Sequence, residues 1–278
     1  MKKALVVEGG AMRGIFAAGV LDGFLKRDMM DFDLAVGVSA GATNLATYIT
    51  QAQGLSRTII SEYATRREFF SPLRFIRGGH MTDVHWLWQQ CKNALPSHCR
   101  APVDTIPLHV GITNVDTGDC EYHRVSNDNI DDLMVASCAI PTAYREQPVI
   151  DGKRYTDGGV ADPIPAQKAY AMGARDITVV LSQPLSFAKP DIRSAWLLER
   201  LYGRQPQLMQ AILNRADVYN HTREWLESPP KDCSVTVIAP DEAFRVRRLT
   251  MHRRKLALGY RSGLTAARRF LRGQQYAA

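Results

Sequence analysis

The chain has 278 residues, of which 45% are hydrophobic and 23% are charged, and its formal net charge at pH 7 is +7. This composition is close to that of an average globular protein and is sufficient to bury a sizeable core. No apolar stretch reaches the ~18 residues that a membrane-spanning helix requires, which excludes such a helix. The sequence also has no signal-peptide pattern and no tightly paired cysteines. We therefore expect a cytoplasmic protein whose membrane contact, if any, is peripheral at the inner membrane surface.

The positive charge is concentrated at the C-terminal end. Residues 243–278 contain ten Lys or Arg residues and no Asp or Glu. Such a segment attracts anionic surfaces through a field that salt weakens, and it is equally consistent with an ordinary solvated surface. Because no Ser/Gly-rich linker, low-complexity run or repeat marks a boundary, we expect one domain over residues 1–278.

The first fifty residues predict the order β-α-β-α. Residues 2–7 are a short apolar run typical of a buried strand, residues 8–14 form a glycine-rich loop, and residues 15–26 have helical apolar spacing. A second apolar strand is predicted over 34–38 and a second helix over 40–53. Ser39 therefore lies at a sharp turn from strand to helix.

The same alternation continues through the rest of the chain. Further strands or hairpins are predicted at 107–115, 120–125, 148–155, 177–181 and 234–239, and further helices at 130–137, 164–172 and 207–226. Strands separated by helices favour an α/β layered fold, with a central, mainly parallel sheet flanked by helices. Functional sites in such sheets gather at the carboxyl ends of the strands.

Gly37-Val38-Ser39-Ala40-Gly41 matches the G-x-S-x-G pattern of a nucleophile elbow. Gly37 and Gly41 allow a serine to occupy a tight turn without steric clash. The predicted strand before the motif and the predicted helix after it are the context that the motif requires, and a helix N-terminus favours developing negative charge. The alternative is a strand-helix junction with a capping serine.

A glycine-rich loop links the first predicted strand to the first predicted helix. Gly9 and Gly10 begin it, Ala11 follows, and Arg13 and Gly14 end it. Consecutive backbone N–H groups beside a helix start can bind a phosphate or the oxyanion of an acyl-transfer intermediate. Ala11 replaces the middle glycine of a dinucleotide-binding loop, and the phosphate-loop pattern is absent, so the oxyanion interpretation is favoured. Arg13 either adds positive charge or braces the loop.

A third segment contributes a carboxylate. Asp157 is followed by Gly158 and Gly159, which permit an unusual turn and close backbone approach. An isolated Asp-Gly-Gly commonly forms a turn with no chemistry.

Taken together, these three segments resemble the patatin-like phospholipase family in their order and spacing. The segment 137–141, with its small residues and proline, also looks like one seen in that family, and the resemblance covers residues 5–174. It implies a patatin-like α/β fold and a serine esterase that uses no cofactor and no metal. The expected substrate is a lipid or another acyl ester.

The resemblance also implies the site roles. Ser39 and Asp157 correspond to a Ser-Asp dyad that works through an acyl-enzyme intermediate, and Gly9, Gly10 and Ala11 correspond to the oxyanion donors. The family usually has glycine where this chain has Ala11, and alanine disfavours a positive φ. A free carboxylate, with a pKa near ~3.9, is a weak base for a hydroxyl, so the dyad requires a partly desolvated site.

Other chemistries find less support. A Ser-His-Asp triad would need a histidine late in the chain; His221 and His252 are late enough but lack a recognisable context. Metal ligands could be assembled only from irregular spacings. The two candidate ligand sets are His80, Asp83 and His85, and Cys91, His98 and Cys99.

Two segments suggest contact with lipid. Residues 55–105 contain aromatic and basic clusters at 69–76 and 86–88, for which the hypotheses are a lipid-facing lid or a packed helical insertion. Residues 249–271 mix apolar and Arg positions, as amphipathic membrane helices do, although Gly259 and Gly263 should weaken a continuous helix. The alternative function is therefore a non-catalytic peripheral membrane-binding protein. No nucleic-acid partner is expected, because no aromatic-basic platform or helix-turn-helix accompanies the charge.

Overall fold

The central feature of the computed structural model, which describes residues 1–96, 105–191 and 195–273, is one mixed β-sheet. Its strands are β1 (Lys3–Val7), β2 (Leu34–Val38), β3 (Leu108–Asn114), β4 (Cys120–Arg124), β5 (Val149–Ile150), β6 (Lys153–Asp157), β7 (Asp176–Val180) and β8 (Ser234–Ile238). Strands β3, β2, β1, β7 and β8 run parallel, whereas β4 and β6 pair with β3 in the antiparallel sense. The predicted α/β fold with a mainly parallel sheet is confirmed.

Helices cover both faces of this sheet. They are α1 (Ile15–Leu25), α2 (Ala40–Ile49), α3 (Leu55–Thr58), α4 (Pro72–Ile76), α5 (Val84–Ala94), α6 (Ile130–Cys138), α7 (Ala166–Ala171), α8 (Ala195–Tyr202), α9 (Pro206–Glu227) and α10 (Arg253–Leu271). Side chains of β1 alternate between two core clusters. Leu5 and Val7 point into one cluster, and Ala4 and Val6 point into the other. Burial on both faces explains why β2 and the part of β1 after Lys3 are apolar throughout.

Strand β3 brings two distant parts of the chain together. Its first half pairs with β2, where Val38 lies opposite Gly111, and its second half pairs with β6, where Asp157 lies opposite Ile112. Ile112 also pairs with a residue of β4. Strand β4 therefore pairs with one edge of β3. Along the other edge, the C-terminal end of β2 meets the C-terminal end of β6. The residue after Val38 and the residue at the end of β6 become neighbours.

Helix α10 packs closely against α1. A Cβ atom added at Gly19 would lie 2.2 Å from Tyr260 O, and one at Gly263 would lie 2.1 Å from Phe16 O. The helix is continuous from Arg253 to Leu271. Gly259 and Gly263 therefore do not interrupt the helix, and Gly263 permits a close helix crossing whose packing offsets its low helix propensity.

The segment predicted as a lid or an insertion consists of short helices joined by turns where it is described. It contains α3, a π-helical turn (Ile59–Tyr63), α4 and α5, while residues 97–104, with His98 and Cys99, lie outside the described residues. The N-terminal glycine loop also differs from expectation, since Ala11–Gly14 form a 3₁₀ turn. Helix α8 was not predicted. Across the described residues, no helix is long and apolar enough to cross a membrane.

Candidate active site

Ser39 lies at a strained turn between β2 and α2. Its backbone has φ = 53° and ψ = −132°, a conformation that non-glycine residues rarely adopt. A Cβ atom at Gly41 would lie 2.3 Å from Val7 O, and one at Gly37 would lie 2.9 Å from the backbone nitrogen of Ala42. The turn therefore requires glycine on both sides of Ser39.

A second serine holds this turn in place. The Ser39 N–H donates to Ser137 Oγ at 2.7 Å, and the Ser137 hydroxyl donates to Gly111 O at 2.8 Å. Both serines are buried. Ser137 belongs to the small-residue segment singled out in the sequence, and it links the end of α6 to the turn.

Asp157 meets Ser39 at the end of β6. The Ser39 hydroxyl donates to Asp157 Oδ2 at 2.7 Å, and the Gly159 N–H donates to the other carboxylate oxygen at 2.8 Å. A Cβ atom at Gly158 would lie only 2.0 Å from Gly111 O. The two glycines thus allow the chain to turn tightly against β3 and fix the carboxylate toward the serine.

Burial sets the electrostatics of this pair. Asp157 is 4% exposed and Ser39 is 5% exposed. Desolvation raises the pKa of Asp157 above its ordinary value, while the Ser39 hydroxyl, the charges of Arg215 and Arg248 and the Gly159 N–H act in the opposite direction. The site meets the sequence-based requirement for a desolvated carboxylate.

The glycine loop lies beside the serine. The Gly9 N–H donates to Pro163 O at 3.3 Å. The N–H groups of Gly10 and Ala11 have no hydrogen-bond acceptor among residues 1–96, 105–191 and 195–273. Ala11 has φ = 49°, so the strain expected of alanine at this position is present. These two free N–H groups at the start of a 3₁₀ turn can donate hydrogen bonds to an anion.

Two predicted loop residues do not line the space around Ser39. Arg13 is buried and its guanidinium lies 3.5 Å from the carboxylate of Glu8, whose other oxygen accepts the Ser182 N–H. Gly14 packs against α2, where its carbonyl oxygen accepts from Asn44 Nδ2 at 2.8 Å. Both residues therefore brace the loop.

An apolar pocket opens on one side of Ser39. Its volume is about 860 Å³, counting the space at its mouth. Side chains of the helical insertion and of α6 form its walls, among them Ile60, Leu87, Trp88 and Met134. A cavity with mainly apolar walls and the Ser39 hydroxyl among its lining groups suits a hydrocarbon chain beside a polar group.

A second, more polar pocket opens on the other side. It has a volume of about 790 Å³ and is lined by Ser39, Asp157 and the glycine loop, together with Arg215 and Arg248. Sequence reasoning missed both arginines. Arg215 lies in α9 and Arg248 precedes α10, and neither belongs to a local motif.

The alternative site residues lie elsewhere. No histidine among the described residues lines either pocket, and His221 and His252 are exposed. The ring of His80 stacks on Tyr144 at 4.1 Å. Among the described residues, no group of three or more His, Cys, Asp or Glu side chains could hold a metal ion.

Two protein families and several known proteins match the chain. The Patatin-like phospholipase family matches residues 5–170, and a domain of unknown function (DUF6363) matches residues 205–275. The uncharacterized protein YjjU of Escherichia coli K12 is 33% identical over 277 residues, which is 96% of this chain and 76% of that protein. The 1-acylglycerol-3-phosphate O-acyltransferase Pnpla3 of Mus musculus is 28% identical over 160 residues, which is 52% of this chain and 35% of that protein. The crystal structure of VipD from Legionella pneumophila aligns with a TM-score of 0.44 and 14% identity, covering 98% of this chain and 67% of that one.

Fold and site define an α/β protein with a buried serine at a glycine-flanked strand-to-helix turn. The chain belongs to the patatin-like phospholipase family. Membership implies activity on lipid acyl esters, as a hydrolase or an acyltransferase. It does not favour the alternative of a non-catalytic membrane-binding protein.

Proposed function

We propose that the protein is a phospholipase A-like lipid acyl hydrolase in which Ser39 is the nucleophile and Asp157 is its general base. The observation that carries this proposal is the 2.7 Å hydrogen bond from Ser39 Oγ to Asp157 Oδ2. A base at this distance can accept the serine proton as the nucleophile attacks. Family membership supports the same class of reaction.

In the first half-reaction, Ser39 Oγ attacks the carbonyl carbon of the ester while its proton passes to Asp157 Oδ2. The tetrahedral intermediate carries a negative oxygen, for which Gly10 and Ala11 supply their free N–H groups. Gly9 is not included, because its N–H is bonded to Pro163 O. When the ester C–O bond breaks, Asp157 returns the proton to the leaving alcohol and the acyl group remains on Ser39.

In the second half-reaction, Asp157 takes a proton from a water molecule that attacks the acyl-enzyme. The second tetrahedral intermediate collapses, Ser39 recovers its proton and the free acid leaves. Because burial raises the pKa of Asp157, its carboxylate is a stronger base than that of an exposed aspartate. These steps use no metal ion and no cofactor.

The two pockets suggest how an acyl ester is oriented. The apolar pocket is suited to the acyl chain, whose burial contributes about 0.8 kcal/mol for each CH₂ group. The polar pocket is then left for the alcohol portion. Both pockets include Ser39, so the scissile carbonyl would lie between them.

A fluorescent fluorophosphonate tests the dyad directly. We expect Ser39→Ala to abolish labelling and p-nitrophenyl ester hydrolysis. Asp157→Asn keeps the side-chain shape but removes the proton acceptor, so turnover should fall by about 10²- to 10⁴-fold. Ser126→Ala and Asp119→Asn, outside both pockets, serve as controls and should retain activity. Continued labelling of a folded Ser39→Ala protein would show that another residue is the nucleophile.

Transfer of the acyl group to an alcohol is the second candidate, because the mouse relative is named an acyltransferase. The same acyl-enzyme would then react with an alcohol oxygen instead of water. Adding radiolabelled glycerol to the assay separates the outcomes, since labelled acylglycerol reports transfer and free acid alone reports hydrolysis.

We also propose a peripheral contact with anionic membranes through the basic C-terminal segment. The apolar face of α10 packs on α1, which leaves its cationic side chains exposed. Just before this helix, Leu249 is 53% exposed and lines the apolar pocket. Attraction of the basic surface to a bilayer would bring the pocket close to its lipids.

A further inference from the structure

Arg215 and Arg248 lie beside the nucleophile, and neither forms a salt bridge with a described residue. Neither guanidinium is within 4.0 Å of a carboxylate in the described part of the chain. Arg215 Nε donates to Gly159 O at 2.5 Å, which orients the side chain and leaves its terminal N–H groups free. No described residue accepts a hydrogen bond from the Arg248 side chain. Both side chains are partly buried.

The nearby carboxylates balance these charges only in part, because Asp157 and Glu8 face three guanidinium groups, those of Arg13, Arg215 and Arg248. Both oxygens of Asp157 are already used, one by the Ser39 hydroxyl and the other by the Gly159 N–H. The other acidic side chain in this region, Glu8, is paired with Arg13. The polar pocket therefore has an excess of positive charge next to the scissile position.

The positive charge in this pocket also lowers the pKa of the cationic groups within it and beside it. The pKa of Arg248 is lowered to about 10, mainly by burial and secondly by the charge of Arg215. The pKa of Lys189 is lowered to about 7, mainly by burial and secondly by the charges of Arg215 and Arg248. Cations held together in this way are costly, and a bound anion would relieve the cost.

We propose that Arg215 and Arg248 bind a phosphate group on the alcohol portion of the acyl-ester substrate while the acyl chain occupies the apolar pocket. This assignment rests on the proposed acyl-ester chemistry and specifies its substrate. Guanidinium groups present paired N–H donors that match phosphate oxygens. A phosphate monoester, which is negatively charged, therefore fits this pair of guanidinium groups better than a neutral headgroup does.

The subsite also gives a role to the C-terminal region. Both arginines fall within residues 205–275, the part that matches a domain of unknown function, and outside residues 5–170. Helix α9 and the segment before α10 carry these side chains over the pocket. The C-terminal region therefore supplies headgroup selection to a site whose nucleophile and base come from the N-terminal region.

A matched pair of substrates tests the subsite: 1-oleoylglycerol 3-phosphate and 1-oleoylglycerol, which differ only in the phosphate. The measured quantity is the ratio of their kcat/KM values. We expect Arg248→Gln to lower this ratio by about 10- to 100-fold, the effect of losing a hydrogen bond between charged groups. Arg248→Lys keeps the charge and should recover part of the ratio.

The neighbouring Arg247 provides the control, because it is exposed and lies outside both pockets. Arg247→Gln makes the same change in net charge and should leave the ratio at the wild-type value. If Arg248→Gln slows both substrates equally, the arginine acts through Asp157 or the oxyanion, and the phosphate subsite is wrong.

Binding to the inactive Ser39→Ala protein separates this proposal from the proposed catalysis. Calorimetry should show tighter binding of 1-oleoylglycerol 3-phosphate than of 1-oleoylglycerol, and Arg248→Gln in the same background should remove the difference. Equal affinities would overturn the subsite even if the wild type hydrolyses esters. Inorganic phosphate binding as tightly as the phosphorylated lipid would assign the site to free phosphate and overturn its role in substrate recognition.

Discussion

Ala11 combines a needed N–H group with an unfavourable backbone. Its φ of 49° lies in the left-handed region, which costs a non-glycine residue about 1–2 kcal/mol. The residue stays there because the loop around it is held by other contacts, including the Met12 N–H to Arg248 O and the Arg13 N–H to Gly10 O. Strain of this kind is typical of sites where geometry serves function.

Replacing Ala11 by glycine should relieve this strain and keep the N–H group. Glycine also makes the unfolded chain more flexible, which removes about 0.4–1 kcal/mol of the stabilisation gained by relieving the strain. We therefore expect a net gain of about 0.5 kcal/mol in unfolding free energy. Urea denaturation measures it. Ala257→Gly, at a regular position of α10, is the control and should destabilise by about 1 kcal/mol. Equal losses in both variants would contradict the assigned strain.

Residues of the site differ in how far the sequence could predict them. Ser39 could be found from its own neighbours, since the glycines around it and the predicted elements on either side form a local pattern. Asp157 is 118 residues away, and only the family resemblance joined it to the serine. Arg215 and Arg248 could not be distinguished among 35 Lys and Arg residues, because the fold alone brings them to the pocket.

At the scale of elements, the crossing of α1 and α10 depends on small residues. Gly19 and Gly263 let the two backbones approach until a side chain would collide with a carbonyl oxygen. Tyr260 adds a hydrogen bond from its hydroxyl to Asp22 Oδ2 at 2.6 Å. The sequence showed Gly263 only as a weak helix former, because its benefit appears when a second helix is present.

Adding one methyl group at this crossing should separate the helices. In Gly263→Ala, the new Cβ would lie 2.1 Å from Phe16 O, and backbone cannot move aside cheaply. We expect a loss of about 1–3 kcal/mol in unfolding free energy despite the better helix propensity of alanine. Thr265→Ala, on the exposed face of the same helix, should change stability by less than about 0.5 kcal/mol. A similar small effect in both variants would disprove the tight crossing.

Two of the predicted elements have the observed bounds or nearly so. Strand β2 has its predicted bounds, Leu34–Val38, and the long helix α9 extends only one residue beyond its prediction at each end. Helix α8 was missed, and for residues 55–105 a packed helical insertion was one of two hypotheses, the other being a lipid-facing lid. Short helices have few turns in which to display a period, and contacts with distant residues decide their conformation.

For the whole molecule, the first and the last helices are packed against each other. Residues of α1 and α10 share one core cluster with β1 and α2. Ser39 comes from the N-terminal part of the chain, and Arg248 from its C-terminal part. This arrangement supports our proposal that residues 1–278 form one domain whose parts unfold together.

The uneven charge of the molecule leads to a prediction about membranes. Exposed cations on and just after α10 should attract anionic vesicles, each contributing about 1 kcal/mol near the surface. Replacing Arg268, Arg269 and Arg272 together with Gln should therefore weaken binding to phosphatidylglycerol-containing vesicles by about 100-fold. Flotation at low and high salt measures the effect, and salt should weaken wild-type binding.

The control makes the same change in net charge elsewhere. Arg27, Arg200 and Lys231 are also exposed, and replacing these three with Gln should reduce vesicle binding far less. Since screening limits each charge to a distance of about 8–10 Å, only cations that face the bilayer can contribute strongly. Equal losses in the two triple variants would show that overall charge drives binding, and the basic C-terminal segment would then have no special part in it.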